Sequence, residues 1–376
     1  MTRRILLVGG GTGGHIYPLV AVARQLKSQA ADVEVRMMGD GPLLKRAAEE
    51  AGIHYTTIIA PKLRRYTSAW NFFDIFKIPL ALMQSLWHLL LYMPDAVFAK
   101  GGYTCAFPVL VARLYAIPVY LHESDSVPGL ANRMLAKHSR LVFTSFTSAD
   151  EYFSTLGRPT LLVGNPFRAE LCCVDRAVAH TALKLDSAKK TIFITGSSLG
   201  AVQLNDLILN SVVQLVQKGY QVVHQTGERN FADVKKAIEL TMTEGKDSYA
   251  PLIAAQYRVY PFLDQGQLAT AYGAADIAVT RASAGMLTEL SYLGKPMIIV
   301  PLSGSANDHQ LYNATELARF GAVVMDGANV SGQVLMAQIT RLLKPATFAE
   351  ISKRIRGFAK PDAAQRIAYT MLLRRT

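Results

Sequence analysis

Cysteine is scarce in this 376-residue sequence: Cys105, Cys172 and Cys173 are its three thiols. An odd number, two of them adjacent and none at metal-ligand spacing, excludes a disulfide-framed fold and a cysteine zinc site. Reduced thiols in a cytoplasmic protein are the expectation. Long apolar runs are missing as well. The opening MTRRILLVGGGTGGH offers only Ile5–Val8 as an apolar stretch, too short for a secretory signal. Linkers rich in Pro, Gly or Ser, low-complexity segments and internal repeats are absent. So are helix-turn-helix, zinc-finger and RNP patterns, and nucleic acid is not an expected partner. Acid is also in deficit. Lys and Arg number 40 against 28 Asp and Glu, a net charge of +12, which directs attention to an anionic membrane surface or to phosphorylated substrates.

What is present is a globular, slightly apolar composition, 50% hydrophobic and 18% charged, long enough for two α/β domains. Residues 4–8 read as a buried strand ending at a glycine loop, followed by a helix from about Tyr17 to Gln29 and a second strand at Val33–Met38. That is a βαβ unit with a parallel sheet. Short apolar runs at Ala96–Ala99, Pro118–Leu121, Leu141–Thr144 and Leu161–Val163 extend it. The pattern restarts at Thr191–Thr195, with the loop GSSLGA and a helix from about Leu204 to Gln217. Gln221–Gln225, Tyr257–Tyr260, Ile277–Thr280 and Pro296–Pro301 continue it. The expected fold is α/β, two doubly wound Rossmann-like domains over residues 1–164 and 165–376, with a ligand cleft between them and a C-terminal helix free to pack back on the first domain.

The first loop, GGGTGGH at residues 9–15, lets the backbone approach a ligand and aims free N–H groups of a helix N-terminus at an anion such as a diphosphate. Gly9, Gly11 and Gly14 also satisfy G-x-G-x-x-G, with Asp40 placed as a ribose acid, so a nicotinamide site is an alternative. His15 is unusual for it. A histidine at a helix N-terminus tends to stay neutral and can act as a general base, or can merely pack the loop.

Residues 72–93, FFDIFKIPLALMQSLWHLLLYM, contain 16 residues from Ile78 to Met93 without a charge, short of the roughly 20 that span a bilayer. Asp74, Lys77, Gln84, Ser85 and His88 form one narrow polar stripe. Lys62, Arg64 and Arg65 precede the segment. With Phe72, Phe73, Phe76 and Trp87, these cations suit docking on an anionic membrane surface. A buried core helix is the alternative.

The motifs form an ordered set. GGGTGGH is followed by GGY at 101–103, HESDSVPGLANR at 122–133, GNPFR at 164–168 and GSSLGA at 196–201. RASAGMLTE at 281–289, GKPMIIVPL from 294 and DHQLYNA to 314 complete it. In content, order and spacing, over nearly the whole chain, this resembles the MurG family, bacterial UDP-N-acetylglucosamine (UDP-GlcNAc):lipid I transferases of peptidoglycan synthesis. The resemblance implies the two-domain GT-B glycosyltransferase fold. It implies two partners, UDP-GlcNAc and the undecaprenyl-linked acceptor lipid I, and a peripheral location on the cytoplasmic face of the inner membrane. No D-x-D metal motif occurs, and neither metal nor cofactor is expected.

Carried over residue by residue, the resemblance puts Thr12, Gly13, Gly14 and His15 against the reacting sugar and the acceptor diphosphate. It makes Tyr103, Asp125 and Asn132 further acceptor contacts. Arg168 and Ser198 resemble the partners of the donor diphosphate. Leu263 resembles a backbone contact to uracil. Ala284, Gly285, Met286, Leu287, Thr288 and Glu289 form the donor motif, with Glu289 on the ribose hydroxyls. Gln310 and Asn313 resemble the pair that reads the N-acetylglucosamine hydroxyls. The chain departs from the family at Ser197 and Ser283, where glycines are usual, at Met286, where threonine is commoner, and in HESD for HEQN. These departures bear on the phosphate and uracil contacts.

The expected reaction is a single inverting displacement. The muramoyl 4-hydroxyl attacks the anomeric carbon of UDP-GlcNAc, giving the β1,4 link of lipid II, with His15 as base and Glu123 in reserve. Another GT-B enzyme with a lipid acceptor, and a UDP-GlcNAc 2-epimerase, are the alternative functions.

Overall fold

A computed structural model of the protein describes residues 2–11, 13–61, 69–168, 174–196, 200–244, 249–302, 308–327 and 330–373, the side chains of 69–73, 75 and 244 not among them. The chain divides into two compact units, Met1–Phe167 with Lys360–Thr376, and Arg168–Ala359.

The first unit is built on seven parallel strands: β1 (Arg3–Gly10), β2 (Val33–Asp40), β3 (His54–Thr57), β4 (Ala96–Ala99), β5 (Val119–Glu123), β6 (Leu141–Thr144) and β7 (Thr160–Leu162). Their order is β3-β2-β1-β4-β5-β6-β7. The central strands read as continuous apolar runs because helices cover both faces of the sheet. Ile5 and Leu7 of β1 face one core with Leu19, Phe98 and Phe143. Leu6 and Val8 face the other with Leu89, Val109 and Leu121. β1 and β4 are neighbours although two strands separate them in sequence, so the sheet's winding reverses there. The carboxyl ends of β1, β4 and β5 open at that reversal, where open α/β sheets place their ligands.

Helix Ala363–Leu373 belongs to this unit too. Ile367, Ala368 and Met371 complete the first core. The Arg3 guanidinium caps the helix, donating to the carbonyls of Met371, at 2.7 Å, and of Leu372. A cation on the last carbonyls satisfies groups that the helix leaves unpaired.

The second unit repeats the plan on six parallel strands: β8 (Thr191–Thr195), β9 (Gln221–Gln225), β10 (Tyr257–Tyr260), β11 (Ile277–Thr280), β12 (Met297–Ile299) and β13 (Val323–Val324). Their order is β10-β9-β8-β11-β12-β13. Two separate apolar clusters cover its faces.

Three local expectations are corrected. The helix expected over Leu204–Gln217 is two, Val202–Leu209 and Val212–Gln217. Ser211 interrupts it, its hydroxyl turned back onto the Leu207 carbonyl at 2.7 Å, a bond that competes with the helical ladder. The first helix starts at Gly13 rather than near Tyr17. Strands β3 and β13, at sheet edges, escape the pattern because neither is a buried apolar run of ordinary strand length. HYTT in β3 is exposed or half-buried throughout, and β13 has two residues.

The apolar segment forms helix Ala69–Tyr92. Among the described residues no helix is long and apolar enough to cross a membrane. The helix is turned inside out relative to a core helix. Asp74, Ala81, Ser85, Leu89 and Tyr92 are buried, whereas Phe76, Leu80, Met83, Trp87, Leu90 and Leu91 are exposed, Phe76 at 63% and Trp87 at 59%. Asp74 pairs with Lys77 at 2.7 Å. Ser85 donates to the Ala81 carbonyl at 2.8 Å. Much of the polar stripe therefore faces the protein and the large apolar side chains face outwards, contrary to the buried-helix alternative.

Candidate active site

In the first unit, side chains converge at the carboxyl ends of β1, β4 and β5. The loop after β1 delivers His15 into the first turn of helix Gly13–Gln29, half-buried. Gly13 and Gly14 open the same helix, so their N–H groups are among those a helix leaves unpaired. Gly101 and Gly102, at φ of +92° and +82°, turn the chain sharply after β4. A Cβ on Gly101 would stand 2.4 Å from Asn132 Oδ1, and one on Gly102 would stand 3.7 Å from the His15 ring. Both positions use a backbone that favours glycine, and at Gly101 the missing Cβ also makes the room that Asn132 fills. Tyr103 follows in a short 3-10 turn, half-buried.

Burial, reinforced by the nearby Lys100 ammonium, holds the His15 imidazole below its usual range, against the opposing pull of Asp125 and a hydrogen bond to the Gly10 carbonyl. A histidine so placed is a free base at neutral pH, the form that accepts a proton.

Glu123, at the end of β5, is 4% exposed. One carboxylate oxygen accepts from the backbone N–H of Asp125 at 3.0 Å. The other accepts from the N–H of Gly129 at 3.0 Å and from Asn132 Nδ2 at 2.8 Å. Burial and then the Asp125 charge push its carboxyl up, and these three donors pull it down. The bonds fold the segment from Ser124 to Gly129 around one carboxylate, so Glu123, the reserve base, orients this loop. Asp125 stands half-buried on that segment. Asn132 is buried, and its Oδ1 has no hydrogen-bond partner among the described residues.

In the second unit, Arg168 and Glu289 lie 121 residues apart and meet, Nη2 to Oε1 at 3.3 Å, both buried. Tyr272 donates its hydroxyl to the other Glu289 oxygen at 2.6 Å, with Met286 Sδ 3.0 Å from the same hydroxyl. Glu289 sits in helix Ala284–Tyr292, which starts just beyond β11. Leu287 lies in the core and Thr288 donates to the Ala284 carbonyl at 2.8 Å. Their side chains are therefore structural, and the helix N-terminus at Ala284 and Gly285 is what this motif can offer a ligand. A Cβ on Gly285 would meet nothing within 4 Å, so space lies over that turn. Leu263 is a core residue and has only its backbone to offer.

Gln310 and Asn313, on helix His309–Ala318, are buried rather than on a solvated face. Gln310 Oε1 accepts from the Leu302 N–H at 3.1 Å, and Asn313 Nδ2 donates to the Ala282 carbonyl at 3.0 Å. The two amides tie the β12 and β11 loops to one helix. Thr12, Ser198, Lys62, Arg64, Arg65, Cys172 and Cys173 lie outside the described residues, as do the side chains of Phe72 and Phe73.

Sequence reasoning passed over four side chains at these sites. Lys100 and His122 are buried beside His15, joined Nζ to Nδ1 at 2.7 Å. Tyr272 holds Glu289 but lies in no glycine-rich motif, and only its packing on Phe193 (ring centroids 5.8 Å apart) marks its place. Arg281, at the mouth of β11, is 9% exposed with its Nε unpartnered among the described residues, and burial pushes its guanidinium down. A buried cation in that condition is stabilised by an anion. Arg281 opens the motif RASAGMLTE, and that was the available signal.

Residues 5–144 match the glycosyltransferase family 28 N-terminal domain and residues 191–367 the family's C-terminal domain. A UDP-N-acetylglucosamine–N-acetylmuramyl-(pentapeptide) pyrophosphoryl-undecaprenol N-acetylglucosamine transferase of Treponema denticola is 34% identical, over 96% of this chain and 93% of its own. The enzyme of the same name from Bacillus subtilis is 31% identical over 98% of both chains. The crystal structure of Acinetobacter baumannii MurG superposes with a TM-score of 0.73 at 26% identity, covering 98% of this chain and 99% of that one. A UDP-GlcNAc 2-epimerase from Neisseria meningitidis, at TM-score 0.70 and 15% identity over 99% and 100% of the chains, shares the fold alone.

Proposed function

The chain belongs to glycosyltransferase family 28, in its MurG branch, and from that premise we propose that it transfers N-acetylglucosamine from UDP-GlcNAc to the muramoyl 4-hydroxyl of lipid I, giving lipid II with inversion. The chain is a UDP-GlcNAc-dependent hexosyltransferase of GT-B fold, which sets aside the nicotinamide reading of the first loop. The geometric observation that carries the proposal is the meeting of Arg168 and Glu289 at 3.3 Å. Two motifs far apart in sequence supply the cation and the carboxylate that a nucleoside diphosphate requires.

The roles divide as follows. Glu289, held by Tyr272, accepts hydrogen bonds from the ribose hydroxyls. Arg168, Arg281 and the N-terminus of helix Ala284–Tyr292 neutralise the departing diphosphate. Gln310 and Asn313 border the sugar, and the Leu263 backbone borders the base. On the acceptor side, His15 takes the proton of the attacking hydroxyl as the bond to the anomeric carbon forms and the bond to UDP breaks. Its second ring nitrogen is anchored on the Gly10 carbonyl. Gly14, Tyr103, Asp125 and Asn132 line the acceptor. Glu123 works through the loop it folds rather than on the substrate.

The acceptor is a membrane lipid, and the outward apolar face of helix Ala69–Tyr92, with Phe76, Met83 and Trp87 exposed, suits peripheral docking on the cytoplasmic leaflet. Bilayer contact would remove that apolar surface from water. The basic residues Lys62, Arg64 and Arg65 just before it favour an anionic surface.

Radiolabelled UDP-GlcNAc and a short-chain lipid I analogue, mixed with the protein in EDTA, test the proposal. Labelled disaccharide-lipid is expected. UDP-GlcNAc bound without transfer points to another lipid acceptor or to epimerisation, and absence of donor binding overturns the proposal.

A further inference from the structure

Lys100 is 1% exposed, at the carboxyl end of β4 beneath the acceptor-side cluster. An ammonium has three N–H donors and cannot accept, and Lys100 has three acceptors. These are His122 Nδ1 at 2.7 Å, Asn165 Oδ1 at 3.2 Å and the Ser124 hydroxyl. They come from the end of β5, from the residue just after it and from the segment after β7, so one side chain ties the β5 end to that segment. The contact also sets a tautomer. His122 Nδ1 accepts, so Nε2 carries the hydrogen and donates to the Gly164 carbonyl at 3.1 Å. With its donors engaged and its surface covered, Lys100 does not reach a substrate.

We propose that Lys100 is a positioning residue for the transfer, one whose buried ammonium opposes a second positive charge at His15 and so keeps that imidazole in its proton-accepting form. The charge of Lys100 acts across the cluster, because buried charges are weakly screened. The groups facing His15 are Lys100 from β4, His122 from β5, Asp125 beyond β5 and the Gly10 carbonyl of β1. Those facing Lys100 are Glu123, Asp125 and Cys105. Burial brings Lys100 down to about 7 while Glu123, Asp125 and Cys105 pull it up. Burial and Lys100 take His15 below its ordinary value. A proton on His15 is therefore opposed by the one on Lys100.

The effect on turnover rests on the reading of His15 as base; the effect on His15 itself does not. The test is the His15 titration followed by NMR on protein with 13C-labelled histidine, its signal identified with His15→Gln, beside the pH profile of kcat/KM. In Lys100→Met the His15 midpoint is expected to rise by about one pH unit, with the acid limb of kcat/KM moving to higher pH alongside it. A raised midpoint with an unmoved acid limb upholds the inference and removes His15 from the role of base. An unmoved midpoint with lower kcat overturns it and leaves Lys100 a purely structural tie. Should Lys100→Met fail to fold, Asp125→Asn tests the same field with opposite sign. Losing that carboxylate must lower the His15 midpoint, and an unchanged midpoint overturns the inference.

Discussion

The carboxyl edges of the two parallel sheets occupy equivalent places in two versions of one plan, yet they are furnished differently. In the first unit the edge holds a half-buried histidine beside a buried lysine and a buried carboxylate, each moved from its ordinary protonation range. In the second it holds a guanidinium and a carboxylate in contact, a tyrosine on the carboxylate, and another arginine whose Nε is unpartnered among the described residues. The first edge is suited to moving a proton and the second to holding an anion. Doubly wound sheets present open strand ends and helix N-termini alike. The side chains, rather than the architecture, assign each half its part of the chemistry.

If that division is right, substitutions on the two edges separate kinetically. The largest effect is expected from His15→Ala, which should lower kcat by about 10²- to 10⁴-fold and leave UDP-GlcNAc affinity alone, as calorimetry beside steady-state kinetics would register. A parallel loss of donor affinity would erase the distinction between the edges. Glu289→Ala should do the reverse, weakening donor binding by about 100-fold, since it removes the charged acceptor on which Tyr272 and Arg168 converge. Unchanged donor affinity would take Glu289 out of the ribose site. Tyr272→Phe removes the 2.6 Å bond that fixes the carboxylate, together with the hydroxyl's contact to Met286 Sδ. It should weaken the donor by about five- to tenfold at constant kcat; a fall in kcat alone would assign Tyr272 to the wrong edge. Smallest is Trp87→Ser on the outward helix face, expected to lower partition onto anionic vesicles by about fivefold, with the unfolding temperature unchanged because the ring is 59% exposed. Unchanged partition would separate that face from the membrane.

Much of this was legible in the sequence, for identifiable reasons. Central parallel strands are buried on both faces, so Ala96–Ala99, Thr191–Thr195 and Ile277–Thr280 stand out as apolar runs and coincide with β4, β8 and β11. Edge strands β3 and β13 lack that burial and were invisible. Glycine-rich loops announce sites because their backbone geometry needs glycine, which is how GGY drew attention to the turn beside His15. What stayed hidden was reach across strands. Nothing local in FAKGGY says that Lys100 will lie under His122 and Asn165, because that contact exists only once three strand ends are side by side. Tyr272 was hidden for the same reason, 17 residues from the carboxylate it orients. On helix Ala69–Tyr92 the periodicity gave a polar stripe, but not which way it faced.

Helix Ala363–Leu373 has a consequence for the order in which the protein matures. It supplies Ile367, Ala368 and Met371 to the core beneath β1. The ribosome finishes the strands of the first unit's sheet long before it makes the piece that covers them. The second unit, Arg168–Ala359, is continuous in sequence and can close as soon as it is made. The half synthesised first is thus completed last, and a nascent chain carries an uncovered apolar patch through the making of nearly 200 residues. For that interval it is a natural client for chaperones that shield exposed hydrophobic surface.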